Sequence, residues 1–323
     1  MTTSALLFNT PLRSTWDVRG DLTETLWWPA KGTGPSKTVL FMVPGNPGLV
    51  EYYENFLQEI YVQTKARIEI FGVSHLGHSP GNHNQLDQRS RLYTLREQID
   101  HKAHCLDLLQ ERFPPETQYI LVGHSMGAYV CAEVLRERPN HNISTIVALF
   151  PTLKHIANTP NGTVLSPIFG PVPRTIISAA ASGASLLPRP VLLPLVKLFT
   201  GQPEPGLSTT ALKLLRGHVV NNALYMAGQE MEMIAELDEV FYEEHVDKFV
   251  IYYGVGDRWV PVEHHREMLE RFPEANIHLC EENLPHAFVL GGFFETSPQP
   301  ILLTPFQPIS LDSYDEDALI TPI

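Results

Sequence analysis

Basic residues are scarce in this 323-residue chain. Lysine and arginine number 23 against 36 aspartates and glutamates, which gives a net charge of −13. This acidic balance argues against a nucleic-acid partner, because phosphate backbones are bound by basic surfaces. Charged residues make up only 18% of the chain, below the ~25% usual for soluble domains, whereas 43% of the residues are hydrophobic. The composition therefore predicts a globular protein with a large apolar core.

Cysteine is equally sparse, at Cys105, Cys131 and Cys280. Three scattered cysteines give neither a disulfide framework nor the spacing of a metal site. We therefore expect buried, reduced thiols in a cytosolic protein. The histidines also lack metal-ligand spacing, so the sequence implies no metal and no cofactor.

Apolar runs of strand length alternate with helical patterns, which is typical of a mostly parallel sheet covered by helices. The predicted buried strands are 38–43, 68–73, 118–122, 145–150, 248–253 and 277–280. The predicted helices lie around 50–65, 94–113, 126–138 and 262–272. Residues 6–31, including 23–28, are expected to add one or two antiparallel edge strands. The fold class is therefore predicted to be α/β.

This alternation stops after residue 151 and resumes near residue 246, and the intervening segment contains no clean strand pattern. We interpret 1–151 and 246–292 as one discontinuous core, interrupted by a largely helical insertion at 152–245. The last stretch, 293–323, is rich in proline and serine and carries an acidic patch. We expect it to be a mobile tail.

The sharpest signal is the pentapeptide Gly123-His124-Ser125-Met126-Gly127. A strand pattern precedes it and a helical pattern follows, which is the context in which GxSxG forms a nucleophile elbow. The glycines leave room for neighbouring backbones, and the serine hydroxyl is exposed near a helix N-terminus. We therefore expect Ser125 to be a catalytic nucleophile. The competing interpretation is a tight structural turn that happens to contain serine.

A serine needs a base to become nucleophilic, and in this context the acid and the histidine follow later in the chain. Asp257 lies just past the predicted strand 248–253, and His286 lies after the strand 277–280. We predict that His286 carries the proton and that Asp257 fixes its tautomer. A helix-capping carboxylate is the alternative for Asp257. Of the other histidines, His278 lies within a predicted strand and is expected to be structural, whereas His264 and His265 lie on a predicted helix and are expected to be surface or packing residues.

Acyl transfer also needs hydrogen-bond donors for the oxyanion. The loop Pro44-Gly45-Asn46-Pro47-Gly48 leaves the first core strand at a suitable place. We predict that the backbone N–H groups of Asn46 and Met126 form the oxyanion hole, because Pro47 has no N–H to donate. His124 is expected to point away from the reacting atoms and to play a supporting role.

With these residues assigned, the chain resembles the α/β-hydrolase superfamily and, more narrowly, the lipid droplet-associated hydrolase family. The resemblance covers about residues 36–292, and the last core helix looks short or absent. It rests on eight strings in order: VPGNPG at 43–48, SHLGH at 74–78, GHSMG at 123–127, FPT at 150–152, TPNG at 159–162, GQEM at 228–231, YYGVGDRW at 252–259 and LPHAF at 284–288. Two of these strings set the chain apart from most hydrolases and match this narrower family. SHLGH begins with serine, where hydrolases more often carry aspartate, and position 44 is a proline.

The resemblance implies an α/β-hydrolase on the cytosolic face of lipid droplets or the endoplasmic reticulum. It points to esters of neutral lipids, such as sterol esters or acylglycerols, as substrates. The expected activity is that of a serine esterase or lipase acting through an acyl-enzyme.

Residues 155–203 contain no acidic residue and only Arg174, Arg189 and Lys197 as fixed charges. A membrane-spanning helix needs about 20 continuous apolar residues. Prolines interrupt every candidate here, so a single clean span is not expected. The segment is either a buried cap that lines an acyl pocket or an interfacial element in a lipid monolayer. An enzyme on a lipid surface would combine both, and an ordinary buried helical cap is the plainer alternative.

Three functional interpretations remain open from the sequence. The first is the lipid esterase with Ser125, His286 and Asp257. The second is a non-catalytic droplet protein that keeps the fold and binds lipid or partners through the insertion. The third keeps the same residues but acts on a thioester, a peptide or a small soluble ester. The apolar insertion argues against small soluble esters, and a serine nucleophile argues against dehalogenase or epoxide-hydrolase chemistry.

Overall fold

A computed structural model describes residues 10–32, 36–79, 91–282 and 284–290. Its centre is an eight-stranded sheet in the order β1-β2-β4-β3-β5-β6-β7-β8. The first two strands pair antiparallel and β2 is antiparallel to β4, whereas all later pairs are parallel. The strands are β1 Leu12–Val18, β2 Asp21–Trp28, β3 Thr38–Val43, β4 Glu69–Val73, β5 Gln118–His124, β6 Ile143–Leu149, β7 Phe249–Gly254 and β8 Asn276–Cys280.

Helices cover both faces of the sheet and build the segment between β6 and β7. The helices are α1 Glu54–Gln63, α2 Leu95–Arg112, α3 Met126–Glu137, α4 Pro160–Leu165, α5 Pro171–Ala184, α6 Arg189–Thr200, α7 Gly206–Thr209, α8 Gly217–Met233, α9 Glu239–His245 and α10 Val262–Arg271. A π-helical turn, Thr210–Leu214, continues α7. The predicted α/β class and its mostly parallel sheet are confirmed.

Strand β3 shows why the central strands read as continuous apolar runs. Its side chains alternate between two cores: Val39, Phe41 and Val43 pack on the α2–α3 side, while Leu40 and Met42 pack on the α1 side. Both faces are therefore removed from water, as expected for parallel strands covered by helices on both sides. The predicted strand 38–43 is confirmed to the residue.

The ends of α2 follow from local chemistry. Thr94 accepts from the Glu97 N–H, and the Glu97 side chain accepts from the Thr94 N–H, so a complete capping box begins the helix. The helix ends at Arg112, just before Phe113 and Pro114. The predicted boundaries, 94 and 113, each lie within one residue of those observed.

Residues 152–245 fold as helices and turns and contain no strand, as the sequence predicts. Proline lies in the first turn of several of these helices, because its fixed φ suits that position: Pro160 in α4, Pro171 in α5 and Pro190 in α6. Among the described residues no single helix is long and apolar enough to cross a membrane. The segments Pro160–Phe169 and Pro171–Ala184 pass that test together, with a bend of 81° between them.

An ion cluster attaches this helical insertion to the core. Lys213, in the π-helical turn, donates to Glu24 of β2 at 2.7 Å and to the more deeply buried Glu51. Close by, the hydroxyls of Tyr52 and Thr210 lie 2.8 Å apart. The insertion is thus held against the sheet by polar contacts as well as by apolar packing.

At this edge of the sheet, β1 and β2 form the two predicted antiparallel strands. Parts of three predictions lie outside the described residues: the start of the edge-strand segment at 6–9, the end of the core at 291–292 and the tail at 293–323. All three cysteines are buried and unpaired.

Candidate active site

Ser125 occupies the sharp turn between β5 and α3. Its φ of +54° and ψ of −124° lie outside the regions that a serine normally adopts. The turn persists because its surroundings fix it: the Ser125 N–H donates to the Leu149 carbonyl at 2.9 Å. The side chain is thereby presented at the carboxyl edge of the parallel strands, where ligands bind in open α/β sheets.

Two glycines allow the backbone to come this close. A Cβ on Gly127 would lie 2.3 Å from the Val43 carbonyl oxygen and 2.5 Å from that of Pro44. A Cβ on Gly45 would lie 3.0 Å from the Ser125 Cβ. Glycine at both positions therefore lets the loop after β3 pack directly against the elbow.

The structure brings the three residues Ser125, His286 and Asp257 into one hydrogen-bonded line. His286 Nε2 lies 2.8 Å from Ser125 Oγ, and His286 Nδ1 lies 2.6 Å from Asp257 Oδ2. The Asp257 side chain is fully buried, whereas the His286 side chain retains 14% exposure. These are the distances and the order that a serine nucleophile, a base and an orienting carboxylate require.

The other carboxylate oxygen of Asp257 is also used. Asp257 Oδ1 accepts from the backbone N–H groups of Trp259 at 2.7 Å and of Val260 at 2.9 Å. Helix α10 begins later, with Pro261 at its N-cap position, so Asp257 caps a turn and not that helix. The two backbone donors fix the rotation of the carboxylate, which leaves Oδ2 directed at His286.

The loop Pro44–Gly48 is held by the string Ser74–His78. The Gly48 N–H donates to His78 Nδ1 at 2.6 Å, and His75 Nε2 donates to the Pro44 carbonyl at 2.9 Å. Burial lowers the pKa of both imidazoles, helped by the Lys102 ammonium, and that of His78 falls to about 3. Neutral rings are what these contacts need, because His78 Nδ1 must accept a hydrogen bond. The two histidines of this string thus hold the loop predicted to bind the oxyanion.

His124 links the same loop to His286. The Gly45 N–H donates to the Tyr53 hydroxyl at 2.8 Å, which lies 2.7 Å from His124 Nδ1, and His124 Nε2 lies 2.8 Å from the His286 carbonyl. Burial lowers the pKa of His124 to about 3, so the ring is neutral. Because a carbonyl can only accept, the proton is on Nε2 and Nδ1 accepts from Tyr53. Through these contacts His124 holds the main chain of His286 and, by way of Tyr53, that of Gly45, which is the kind of supporting role predicted for it.

A cavity of about 420 Å³ opens above Ser125 and His286. Its walls are mostly apolar and come from the insertion, with Trp259 next to His286. Representative lining residues are Phe169, Ile177, Ala181, Leu215, Leu224 and Met231. Such a cavity suits an acyl chain or another extended apolar group more than a polar substrate.

One carboxyl group lines this apolar cavity. Glu230 of α8 is 4% exposed, and its Oε1 accepts from Asn46 Nδ2 at 2.8 Å. Burial raises its pKa to about 7, although the hydrogen bond from Asn46 lowers it. Among the described residues that line the cavity, His286 is the other titratable side chain.

The outer surface of the insertion is unusually apolar. Among the described residues, nine of the 15 large hydrophobic side chains that are exposed lie between residues 164 and 199. Leu186 and Phe199 are each 83% exposed, and Leu198 is 77% exposed. On α5 the two faces differ in role: Ile177 and Ala181 line the cavity, whereas Val172 and Ile176 face outwards.

The remaining histidines that the sequence assigned to structural roles have packing contacts. His264 and His265 lie on α10 and are both buried, and the ring of His278 stacks on Tyr252 with centroids 4.6 Å apart. In the part of the chain that the structure describes, no three His, Cys, Asp or Glu side chains are grouped as a metal site would require.

Two residues of the site were not identified from the sequence. Tyr53 lies in an aromatic-rich segment, which reads as ordinary core packing. Glu230 lies in the string GQEM, which carries the family resemblance without indicating a role. A single acidic residue on an amphipathic helix is normally expected to face solvent. Only the packing of α8 against the core shows that Glu230 is buried beside Asn46.

The sequence is similar to that of a known protein family. A family model described as lipid-droplet associated hydrolase matches residues 36–289. The human lipid droplet-associated hydrolase is 30% identical over 266 residues, which cover 78% of this chain and 80% of the human protein. The chicken protein of the same name is 31% identical over 265 residues, which cover 79% and 81% of the two chains.

The fold also matches solved α/β-hydrolase structures. The crystal structure of an epoxide hydrolase from Vigna radiata superposes with a TM-score of 0.61 at 13% identity, covering 94% of this chain and 99% of that one. At this level of identity the likeness shows a shared fold and carries no information about substrate. The expected α/β-hydrolase fold is confirmed.

Proposed function

This chain belongs to the lipid droplet-associated hydrolase family, and on that premise we propose that it is a serine hydrolase that cleaves carboxylic esters of lipids. The observation that carries the proposal is the hydrogen-bonded line Ser125–His286–Asp257 at the floor of an apolar cavity. Sterol esters and acylglycerols are the substrates that we expect.

The first half of the reaction forms an acyl-enzyme. With the acyl chain in the cavity, Ser125 Oγ attacks the ester carbonyl carbon while His286 Nε2 takes the hydroxyl proton. Asp257 holds the imidazole in the required tautomer and stabilises its positive charge. The tetrahedral intermediate collapses, the bond to the alcohol oxygen breaks, and His286 returns the proton to the departing alcohol.

The second half releases the acid. Water attacks the acyl carbon, His286 takes a proton from the water and then gives it to Ser125 Oγ, and the carboxylic acid leaves. In both halves we assign the Met126 and Asn46 N–H groups to the oxyanion. Met126 is the first residue of α3, where helical N–H groups have no partner within the helix, and the Asn46 loop packs on the elbow.

We further propose that residues 155–203 bind the monolayer of a lipid droplet or the cytosolic surface of the endoplasmic reticulum. The exposed side chains of α5 and α6 supply an apolar surface, and Arg189 and Lys197 are exposed on the same segment. Apolar side chains at the acyl boundary with cations near the headgroups are typical of interfacial helices. An enzyme attached in this way would take its substrate from the lipid phase.

A fluorophosphonate probe tests the catalytic part of the proposal, because it labels only an activated serine. We expect wild-type protein in mixed micelles to be labelled and folded Ser125→Ala not to be labelled. Turnover is then measured on emulsified sterol ester, triacylglycerol, monoacylglycerol and a long-chain thioester. Failure of folded wild type to react with the probe would favour the non-catalytic alternative, in which the cavity and the surface only bind lipid.

A further inference from the structure

The burial of Glu230 in the cavity wall costs free energy. A carboxyl group in a largely apolar cavity loses its hydration, and such groups are rarely buried unless they are paired or hydrogen-bonded. Its neighbours on the same face of α8 include Ala223, Ala227 and Met231, which also line the cavity. An apolar side chain would fill this position at a lower cost in free energy, so the carboxyl group calls for an explanation in terms of its partner.

That partner is Asn46. The Asn46 Nδ2 group donates to Glu230 Oε1 at 2.8 Å and to the Ala223 carbonyl oxygen at 2.9 Å, so both of its protons are used. The two acceptors lie on α8, 177 and 184 residues away in the sequence. The side chain of Asn46 is therefore attached to the insertion, while its backbone belongs to the loop that packs on Ser125.

The position of Asn46 gives this contact a consequence for chemistry. Its backbone N–H is one of the two donors that we assign to the oxyanion, and such a donor works only when held in the required orientation. The same loop is fixed on either side of Asn46, since His75 binds the Pro44 carbonyl and His78 accepts from the Gly48 N–H. The hydrogen bonds to α8 constrain Asn46 itself, between those two points.

We propose that Glu230 is a positioning residue that accepts a hydrogen bond from Asn46 and so directs the Asn46 backbone N–H at the oxyanion. This inference rests on the proposed serine-hydrolase function. Because Glu230 belongs to the insertion and Asn46 to the core, the oxyanion hole is complete only when the insertion is seated on the core. The insertion then contributes to the chemical step as well as to the cavity walls.

Two substitutions separate the acceptor from the charge. Glu230→Gln keeps an oxygen that can accept from Asn46, whereas Glu230→Leu keeps the approximate size and removes the acceptor. With a soluble p-nitrophenyl ester we expect Glu230→Leu to lower kcat about 10²-fold with little change in KM, as for loss of an oxyanion donor. Glu230→Gln should stay within about 3-fold of wild type, and fluorophosphonate labelling rates should follow the same order.

Two controls isolate the contact. Glu232 is exposed on the same helix, so Glu232→Leu makes the same chemical change without touching the cavity and should leave kcat and the melting temperature unchanged. Asn46→Ala keeps the backbone N–H but removes the side chain. If the two side chains act as a unit, adding Glu230→Leu to Asn46→Ala should lower kcat by no more than about 2-fold further.

Five results would contradict the proposal or the function on which it rests. Wild-type kcat in folded Glu230→Leu would show that Asn46 needs no acceptor on α8. A higher KM with unchanged kcat would make Glu230 a substrate contact. A loss in Glu230→Gln as large as in Glu230→Leu would show that ionisation, and not acceptance, is required. Wild type that neither labels nor turns over ester would refute the serine-hydrolase function itself, whereas labelled wild type with equally labelled Glu230→Leu would refute only the positioning role.

Discussion

The side chain of His124 donates a hydrogen bond to the backbone carbonyl of His286, with Nε2 and the oxygen 2.8 Å apart. The residue beside the proposed nucleophile thus fixes the main chain of the proposed base. Tyr53 extends the connection to Gly45 of the neighbouring loop. Removal of one member should therefore disturb both the base and the oxyanion donors.

Tyr53→Phe tests this connection. The substitution leaves the buried Gly45 N–H without an acceptor and His124 Nδ1 without a donor, so we expect a loss of about 1–3 kcal/mol in unfolding free energy. We also expect kcat on a soluble ester to fall roughly 10-fold, because two groups lose their support. Chemical denaturation and steady-state kinetics measure the two effects.

Tyr119→Phe is the matched control for Tyr53→Phe. The buried Tyr119 hydroxyl has no hydrogen-bond partner among the described residues, so its removal should be neutral or slightly stabilising. Equal destabilisation by the two substitutions would show that the hydroxyl of Tyr53 contributes packing alone.

Asp257→Asn should preserve the fold and abolish most activity. The carbonyl oxygen of the new side-chain amide would keep accepting from the Trp259 and Val260 N–H groups, which turns the amide NH₂ toward His286 Nδ1. The ring proton of His286 is then held on Nε2. In that tautomer Nε2 cannot accept the hydroxyl proton of Ser125. We expect kcat to fall about 10³–10⁴-fold with the melting temperature little changed.

Asp257→Ala provides the comparison. It removes the acceptor for two backbone N–H groups as well, so it should unfold at a lower temperature than Asp257→Asn. Substantial ester turnover by Asp257→Asn would be incompatible with the assigned role of Asp257.

Much of this site follows from the sequence, and the reasons are local. GxSxG has meaning between a buried strand and a helix, and Asp257 and His286 each follow a recognisable strand. Tyr53 and Glu230 were missed, because their roles depend on contacts between distant segments. The same is true of the attachment of Lys213 to Glu24 and Glu51, which no periodicity indicates. Strand β3 was predictable to the residue, since its apolar run is buried on both faces and Pro44-Gly45 ends it.

The raised pKa of Glu230 predicts a pH dependence of stability. In the folded state this carboxyl group titrates with a pKa of about 7 because it is buried, whereas its ordinary value is 4.5. Between these values the folded protein holds a proton that the unfolded chain has lost, so the stability falls as the pH rises through this window. Above about pH 7 the full penalty is present, on the order of 3 kcal/mol.

Glu230→Gln should remove this contribution. Unfolding free energies of wild type and Glu230→Gln, measured from pH 5 to pH 8, should diverge steadily in favour of the variant. Glu232→Gln, at an exposed position of the same helix, should follow wild type throughout. Parallel curves for wild type and Glu230→Gln would mean that Glu230 titrates normally.

Substitution of the exposed apolar residues should weaken lipid binding. We expect the triple variant Leu186→Ser, Leu198→Ser, Phe199→Ser to bind phospholipid-coated triacylglycerol droplets at least 10²-fold more weakly, because each buried side chain contributes about 1.5–3 kcal/mol. Flotation assays measure the bound fraction, and the melting temperature reports whether the fold survives.

The control places the same change elsewhere on the surface. Leu12, Val62 and Val240 are also exposed apolar residues but lie outside residues 155–203. Their triple serine variant should float with droplets as wild type does. An equal loss of flotation in both triple variants would assign binding to general surface hydrophobicity and not to residues 155–203.

Helix α5 separates the cavity from the outer apolar surface, since Ile177 and Ala181 face inwards and Val172 and Ile176 face outwards. A helix with its side chains is about 10–12 Å thick. On a lipid surface, a bound acyl chain would therefore lie only one helix diameter from the phase it came from. A small displacement of α5 would join the two, so that a lipid could enter and its fatty acid return sideways, without crossing water.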